Sequence, residues 1–187
     1  MRMTRTVAVV VGGLMLATAT GAQEQVETVT KKAAMRAPTF TDVTDAMLKN
    51  ARADGKNWSI FGHDYTNQRY SPLAQITTAN VASLRPSWIY QTGISRLGSF
   101  ETSPTVVDGV MYLTTPYNTA MAVDARTGQQ IWRYEHKPSI TAPIYCCGPN
   151  NRGVAISGNT VYMGTLDARL VALDSKTGAV KWDVEVA

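Results

Sequence analysis

Cys146 and Cys147 stand side by side and are the two cysteines of the chain. A disulfide between adjacent residues closes a small ring and strains the intervening peptide, whereas ordinary disulfides staple distant segments. A bridge that closes almost no loop removes little unfolded-state entropy, so stability is a poor reason for it. It presents a rigid, flat, soft surface suited to stacking against a planar ligand. The alternative is two reduced cysteines buried as small hydrophobes. Five residues beyond Cys147 stands Arg152, whose planar guanidinium fork matches a carboxylate. Glu101 supplies a carboxylate upstream. His63 and His136 have no metal-ligand spacing and receive no role, and Asp64, Asp108 and Asp167 read as turn residues. No Cys-x-x-Cys-His haem motif occurs.

The elements that must position these residues begin after a leader. Residues 1–22 read as a secretory signal peptide: Arg2 and Arg5 form a basic start, residues 7–17 are apolar, and small residues offer cuts after Ala19 or Ala22. The apolar run is shorter than the roughly 20 residues of a membrane span, and no cysteine follows it for lipid anchoring. Export implies an oxidising compartment, in which a Cys146–Cys147 disulfide persists and the mature chain has no free thiol. Removing Arg2 and Arg5 lowers the formal charge from +4 to +2, 16 basic against 14 acidic residues. With no basic run or basic-aromatic stripe, nucleic acid is not an expected partner.

Downstream the chain repeats. Ala122, Asp124, Thr127, Gly128 and Trp132 recur as Ala172, Asp174, Thr177, Gly178 and Trp182, an offset of 50 (172 − 122) that also pairs Tyr112 with Tyr162 and Thr115 with Thr165. Periods of this size mark arrays such as propeller blades. Each repeat reads as four short strands; in the first they cover 103–107, 110–115, 119–124 and 129–134. Asp108-Gly109 makes a hairpin turn because both residues tolerate positive φ, and Gly158-Asn159 takes that place in the second. Gly128 and Gly178 serve the other turn, whose amides Asp124 and Asp174 are expected to bind. Trp132 and Trp182 are expected to pack on the neighbouring repeat. The predicted fold is all-β, a β-propeller of four-stranded antiparallel blades. Propellers close with about 4–8 blades, and two repeats plus a partial blade do not close a ring. The chain therefore reads as the N-terminal piece of a longer protein, with assembly of several short chains as the alternative.

Three regions follow: the leader at 1–22, a lead-in at 23–86, and the first blades at 87–187. Within the lead-in, residues 41–53 predict a short helix capped by Thr41 or Asp42 and ended by Gly55. Residues 58–73 read as an ordered loop. Residues 77–84 predict a helical turn or two, capped by Thr77 or Thr78 and stopped before Pro86. Residues 87–91 predict a strand, the outer strand of another blade.

The same offset places Thr102 opposite Arg152 (102 + 50), so Glu101 adjoins the position equivalent to Arg152. Both precede the first strand of a blade, and in a propeller that strand lines the central axis. Glu101, Cys146, Cys147 and Arg152 are thus expected to approach the axis from one end. The plainer alternatives are a solvated loop arginine and an exposed charge at a strand entry.

With these residues in place, the chain resembles the N-terminal part of a pyrroloquinoline quinone (PQQ)-dependent alcohol dehydrogenase of the methanol/ethanol type. Asn67-Gln68-Arg69-Tyr70-Ser71-Pro72-Leu73 and residues 76–88 resemble the family's opening, and Phe100-Glu101-Thr102-Ser103-Pro104 its first inner strand. Cys146-Cys147-Gly148-Pro149-Asn150-Asn151-Arg152-Gly153 resembles its vicinal-disulfide segment, and the repeats resemble its tryptophan-docking motif. The resemblance implies an eight-bladed propeller in the periplasm, with PQQ contacts from Glu101, Cys146, Cys147 and Arg152. It implies Ca²⁺, or a lanthanide in some members, as a Lewis acid on the quinone. It further implies an aspartate base that accepts the alcohol's proton, hydride transfer to the quinone, and electrons leaving singly to a cytochrome c. The base, the metal ligands and the tryptophan floor under the quinone are expected beyond Ala187, so no catalytic or metal residue is assigned within the chain. The 187-residue chain alone is expected to lack dehydrogenase activity. The alternatives are a non-catalytic exported β-propeller scaffold, which leaves Cys146, Cys147 and Arg152 unexplained, and a PQQ dehydrogenase of another substrate class.

Overall fold

The computed structural model describes residues 38–94, 100–138 and 147–186. The expected signal peptide and Cys146 lie outside the described residues.

Two four-stranded antiparallel sheets carry the two repeats. The first runs in order β1 (Thr105–Val107), β2 (Val110–Thr115), β3 (Thr119–Asp124), β4 (Gln130–Glu135). The second runs β5 (Ala155–Ser157), β6 (Thr160–Gly164), β7 (Arg169–Asp174), β8 (Val180–Glu185). Each is an up-and-down meander, as expected for a propeller blade. The β1–β2 hairpin closes through Asp108 at φ 48° and Gly109 at φ 80°, the left-handed pair that tight hairpin turns require. Thr105, Val107, Val110 and Tyr112 are buried on the core side of this hairpin, and every residue of β3 is buried. One apolar cluster joins Tyr112, Trp132, Val161, Met163, Val171 and Leu173 across the two blades. Removing that surface from water holds the sheets together.

The repeat motif builds a docking joint. Gly178 lies so close under the Trp132 indole that an added Cβ would stand 2.7 Å from the ring. The indole Nε1 donates to the Ser175 carbonyl at 2.9 Å. The turn that carries this glycine is tied by Asp174, which accepts from the Lys176 and Thr177 amides at 3.0 and 3.1 Å, as expected from the sequence. Asp124 does the same in the first blade, accepting from the Arg126 amide at 2.9 Å. Trp182 is 40% exposed where Trp132 is 6%; among the described residues no further blade covers it.

Residues 87–91 do not form the predicted strand. A strand is defined by a backbone-paired neighbour, and among the described residues no strand pairs with this segment. It is held by side chains instead, Tyr90 Oη donating to Gln130 Oε1 and Arg133 Nη1 to the Thr92 carbonyl. It still delivers a docking tryptophan: Trp88 covers Gly128 and donates to the Ala125 carbonyl at 2.9 Å, repeating the Trp132 joint one blade earlier.

The lead-in helix is shorter than predicted. Helix α1 spans Asp45–Lys49, with Thr44 rather than Thr41 or Asp42 as N-cap, its hydroxyl accepting from the Met47 amide at 3.2 Å. Val43 is already committed, exchanging backbone hydrogen bonds of 2.9 and 2.8 Å with Gly158, so helical dihedrals start only after it. The Thr41 hydroxyl bonds Asp108 instead. A 3₁₀ turn follows at Ala51–Ala53 and another at Val81–Ser83. At the latter the Asn80 side chain accepts from the Thr77 amide at 2.8 Å, the reverse of a threonine cap. Trp58 exchanges backbone bonds of 2.8 and 2.9 Å with Val106, so the lead-in covers the edge of β1 that β2 leaves free.

Candidate cofactor wall

The segment before β1 and the segment before β5 meet. Ser103 donates its amide to the Arg152 carbonyl at 3.1 Å. The approach needs Gly153: at φ 124° it lies against Ser103, and a Cβ there would stand 2.7 Å from the Ser103 carbonyl oxygen. Across this contact Arg152 Nη2 reaches Glu101 Oε2 at 3.0 Å. Asn150 Nδ2 donates to Glu101 Oε1 and to the Cys147 carbonyl, each at 2.9 Å. Cys147 takes a left-handed φ of 67° and Gly148 follows at 95°, so the chain turns sharply between the thiol position and Asn150. Cys147 is disulfide-bonded.

Of the four residues singled out from the sequence, Glu101, Cys147 and Arg152 are therefore brought to one place, and Cys146 lies outside the described residues. Their mutual pairing was not foreseen, since the sequence suggested only that they share an end of the blades. Asn150, which bridges two of them, was missed; its place in the short stretch between Cys147 and Arg152 was its one signal. The Arg152 side chain is 71% exposed and that of Glu101 36%, so the charged pair faces open space rather than the core.

Behind the wall stands a buried polar frame. Thr114 Oγ1 donates to the Asn151 carbonyl at 3.2 Å, and its amide donates to Thr102 Oγ1 at 3.1 Å. Asn151 Nδ2 donates to the Gly164 carbonyl at 2.9 Å and to Asn118 Oδ1 at 3.3 Å. His136 and Asp167, read from sequence as an unassigned histidine and a turn residue, form a buried pair. His136 Nε2 lies 2.9 Å from Asp167 Oδ1, Tyr134 Oη lies 3.2 Å from His136 Nδ1, and Thr165 Oγ1 donates to Asp167 at 2.6 Å. The pair spans two blades, so no local spacing announced it. The available signal was departure from the repeat: the position equivalent to His136 is Val186 (136 + 50).

A guanidinium, a carboxamide, a carboxylate and a disulfide sulfur on one exposed edge suit a planar, anionic, hydrogen-bonding ligand. Among the described residues no group of three or more His, Cys, Asp or Glu could hold a metal ion. The donor set thus fits one side of a PQQ site and offers no metal cage.

Tryptophan-docked, four-stranded meanders with this wall between them define a quinoprotein-type β-propeller. Residues 58–183 match the family model for the PQQ-dependent glucose/ethanol/alcohol dehydrogenase β-propeller domain, and the chain belongs to that family. It is 41% identical over 153 residues to the quinohemoprotein alcohol dehydrogenase ADH-IIG of Pseudomonas putida, covering 81% of this chain and 21% of that protein. It is 43% identical over 132 residues to the 1-butanol dehydrogenase (cytochrome c) of Thauera butanivorans, covering 70% and 19%. Among solved structures, the ADHIIG enzyme of Pseudomonas putida HK5 superposes with a TM-score of 0.75 at 41% identity over 80% of this chain and 22% of that one. A europium-containing methanol dehydrogenase gives 0.70 at 33% identity over 76% and 25%. The chain spans about a fifth of the length of the curated relatives it matches, 17 to 22%.

Proposed function

We propose that this chain forms one wall of the PQQ site of a periplasmic alcohol dehydrogenase that delivers electrons to a cytochrome c. The observation that carries the reading is the convergence of Arg152, Glu101, Asn150 and Cys147 from two blades at one exposed edge. Arg152, held in register by Glu101, would bind a cofactor carboxylate through its remaining donors. Asn150 fixes the Cys147 carbonyl and so the direction in which the sulfur points. A Cys146–Cys147 ring would lie flat against the cofactor plane and keep water from that face. Bound PQQ would supply the electron acceptor for oxidation of an alcohol to an aldehyde. The metal expected in the family, Ca²⁺ or a lanthanide, finds no ligand set among the described residues, and no step of these residues depends on it. Periplasmic placement rests on the leader sequence and on the disulfide chemistry.

The test is a PQQ titration of the apoprotein made from its complete gene, followed by absorbance and protein fluorescence. Arg152→Ala and the Cys146→Ser/Cys147→Ser pair should each weaken PQQ binding by about tenfold or more, the scale of losing a charge-assisted contact. Affinity unchanged in both variants would refute the reading. Dye-linked alcohol oxidation by residues 23–187 alone, with PQQ and Ca²⁺ added, should be absent.

A further inference from the structure

The β2–β3 turn of the first blade is built in an unusual way. Tyr117 and Asn118 both adopt left-handed backbone, at φ 66° and 57°, a conformation that is uncommon without glycine. From that turn four hydrogen bonds radiate to the polypeptide that carries the cofactor wall and to the next blade. The Asn118 carbonyl accepts from the His136 amide at 3.2 Å, and the Tyr117 amide donates to the Pro149 carbonyl at 3.0 Å. Asn118 Oδ1 accepts from Asn151 Nδ2 at 3.3 Å and from the Leu166 amide at 3.2 Å. His136 precedes the segment bearing Cys147, and Asn151 ends it. One residue therefore grips both flanks of that segment and ties them to β6–β7 of the second blade. Asn118 is 4% exposed and Asn151 7%, so water does not compete for these bonds.

The equivalent position in the second blade is Ala168 (118 + 50), which keeps the left-handed backbone at φ 58°. The left-handed backbone at this one position thus recurs in both blades, whereas the carboxamide belongs to the first, where the wall must be placed.

We infer that Asn118 is a positioning residue for the cofactor wall: its side chain sets where Cys147, Asn150 and Arg152 stand relative to Glu101. It touches none of the ligand-facing groups itself and acts through Asn151, the neighbour of Arg152. The inference rests on the PQQ reading above. A site held by side chains loses precision when their supporting bonds are left out.

The experiment measures PQQ affinity by titration of the apoprotein made from its complete gene, alongside thermal unfolding. Asn118→Gly keeps the left-handed backbone and the carbonyl that binds His136, and removes only the carboxamide. It should weaken PQQ binding by about tenfold. Asn151→Ala should cost less in the Asn118→Gly background than in wild type, because the bond the two share is already gone and only the Gly164 bond of Asn151 remains to be lost. Ala168→Gly, the same backbone change at the matching turn, should leave PQQ affinity unchanged while altering unfolding. Wild-type PQQ affinity in Asn118→Gly, with Arg152→Ala impaired, would overturn the inference and leave the PQQ reading standing. Affinity unchanged in both Arg152→Ala and the Cys146→Ser/Cys147→Ser pair would instead remove the reading and the inference together. Should Asn118→Gly fail to fold, Asn151→Ala alone decides: about tenfold weaker binding is expected, and unchanged binding overturns the proposal.

Discussion

Arg152 on the segment leading into β5 clasps Glu101 on the segment leading into β1 at 3.0 Å. The clasp is exposed, and exposed ion pairs contribute only about 0–1 kcal/mol to stability. Its value lies in orientation: a fork held on one side by Glu101, itself fixed by Asn150, meets a ligand on the other without first losing rotamer freedom. Arg152→Lys keeps the charge but not the planar fork. It should bind PQQ several-fold more weakly than wild type and more tightly than Arg152→Ala, with thermal unfolding unchanged across the three. Lysine restoring full affinity in the titration would mean that charge alone matters.

The docking joints give a graded test with glycine. At Gly178 a methyl would stand 2.7 Å from the Trp132 ring, at Gly128 2.7 Å from Trp88, and at Gly158 it would meet nothing within 4 Å. All three have positive φ, so alanine carries a backbone cost of about 1 kcal/mol at each. Gly178→Ala and Gly128→Ala add overpacking of roughly 1–3 kcal/mol. Denaturant unfolding should rank Gly158→Ala as the mildest of the three, and equal losses at all three would show that the indoles yield without cost.

Tyr112 makes stability depend on alkaline pH. Burial between the blades pushes its hydroxyl up from 10.0 to about 12, Asp174 adds to the shift, and the bond to the Ser175 carbonyl opposes it. Below pH 10 the residue is neutral folded and unfolded. Between about 10 and 12 the unfolded chain ionises first, so the folded state loses stability. Tyr112→Phe removes this component, and the stability difference between wild type and variant should fall as pH rises through that window. A difference independent of pH would contradict the burial argument.

At acid pH the docking turns respond in the opposite sense. Burial works to raise the Asp174 carboxyl, but Thr177, the Lys176 amide and the Lys181 ammonium outweigh it and hold the group below its ordinary value. Asp124 is held low in the same way by Arg126 and the Thr127 amide. A depressed folded value stabilises above the ordinary carboxylate range and is lost as pH falls through it. Asp174→Asn should therefore flatten the acid limb of the stability profile below about pH 4. Parallel profiles for wild type and variant would show that the turn does not sense the charge.

The His136–Asp167 pair is buried on both sides. His136→Ala leaves the Asp167 carboxylate without one of its partners and opens a cavity, at a cost of about 1–3 kcal/mol. Because the Asn118 carbonyl holds the backbone amide of residue 136, PQQ affinity should change less than in Asn118→Gly. A larger loss of affinity than of stability would assign the histidine to the site.

By itself the sequence determined the blades. Strand order, the hairpin turn at Asp108-Gly109, the aspartate-tied docking turns and the packing of Trp132 on the neighbouring repeat are local or periodic features, and a repeat of 50 residues marks their positions twice. Glu101 and Arg152 were legible for the same reason, since the offset places the two strand entries side by side, and Cys147 through its adjacency to Cys146. Only the tertiary structure decided that Arg152 binds Glu101, that Asn150 bridges to Cys147, that His136 finds Asp167, and that Asn118 grips the flanks of the wall. Apart from the local Asn150–Cys147 bond, these join residues that depart from the repeat and lie on different blades. Periodicity carries no information about them, because they come into being only when docking and apolar burial bring one blade against the next. The shortened α1 has the same origin: Val43 spends its backbone on Gly158 of the second blade, a partner that helix propensity in residues 41–53 does not reveal.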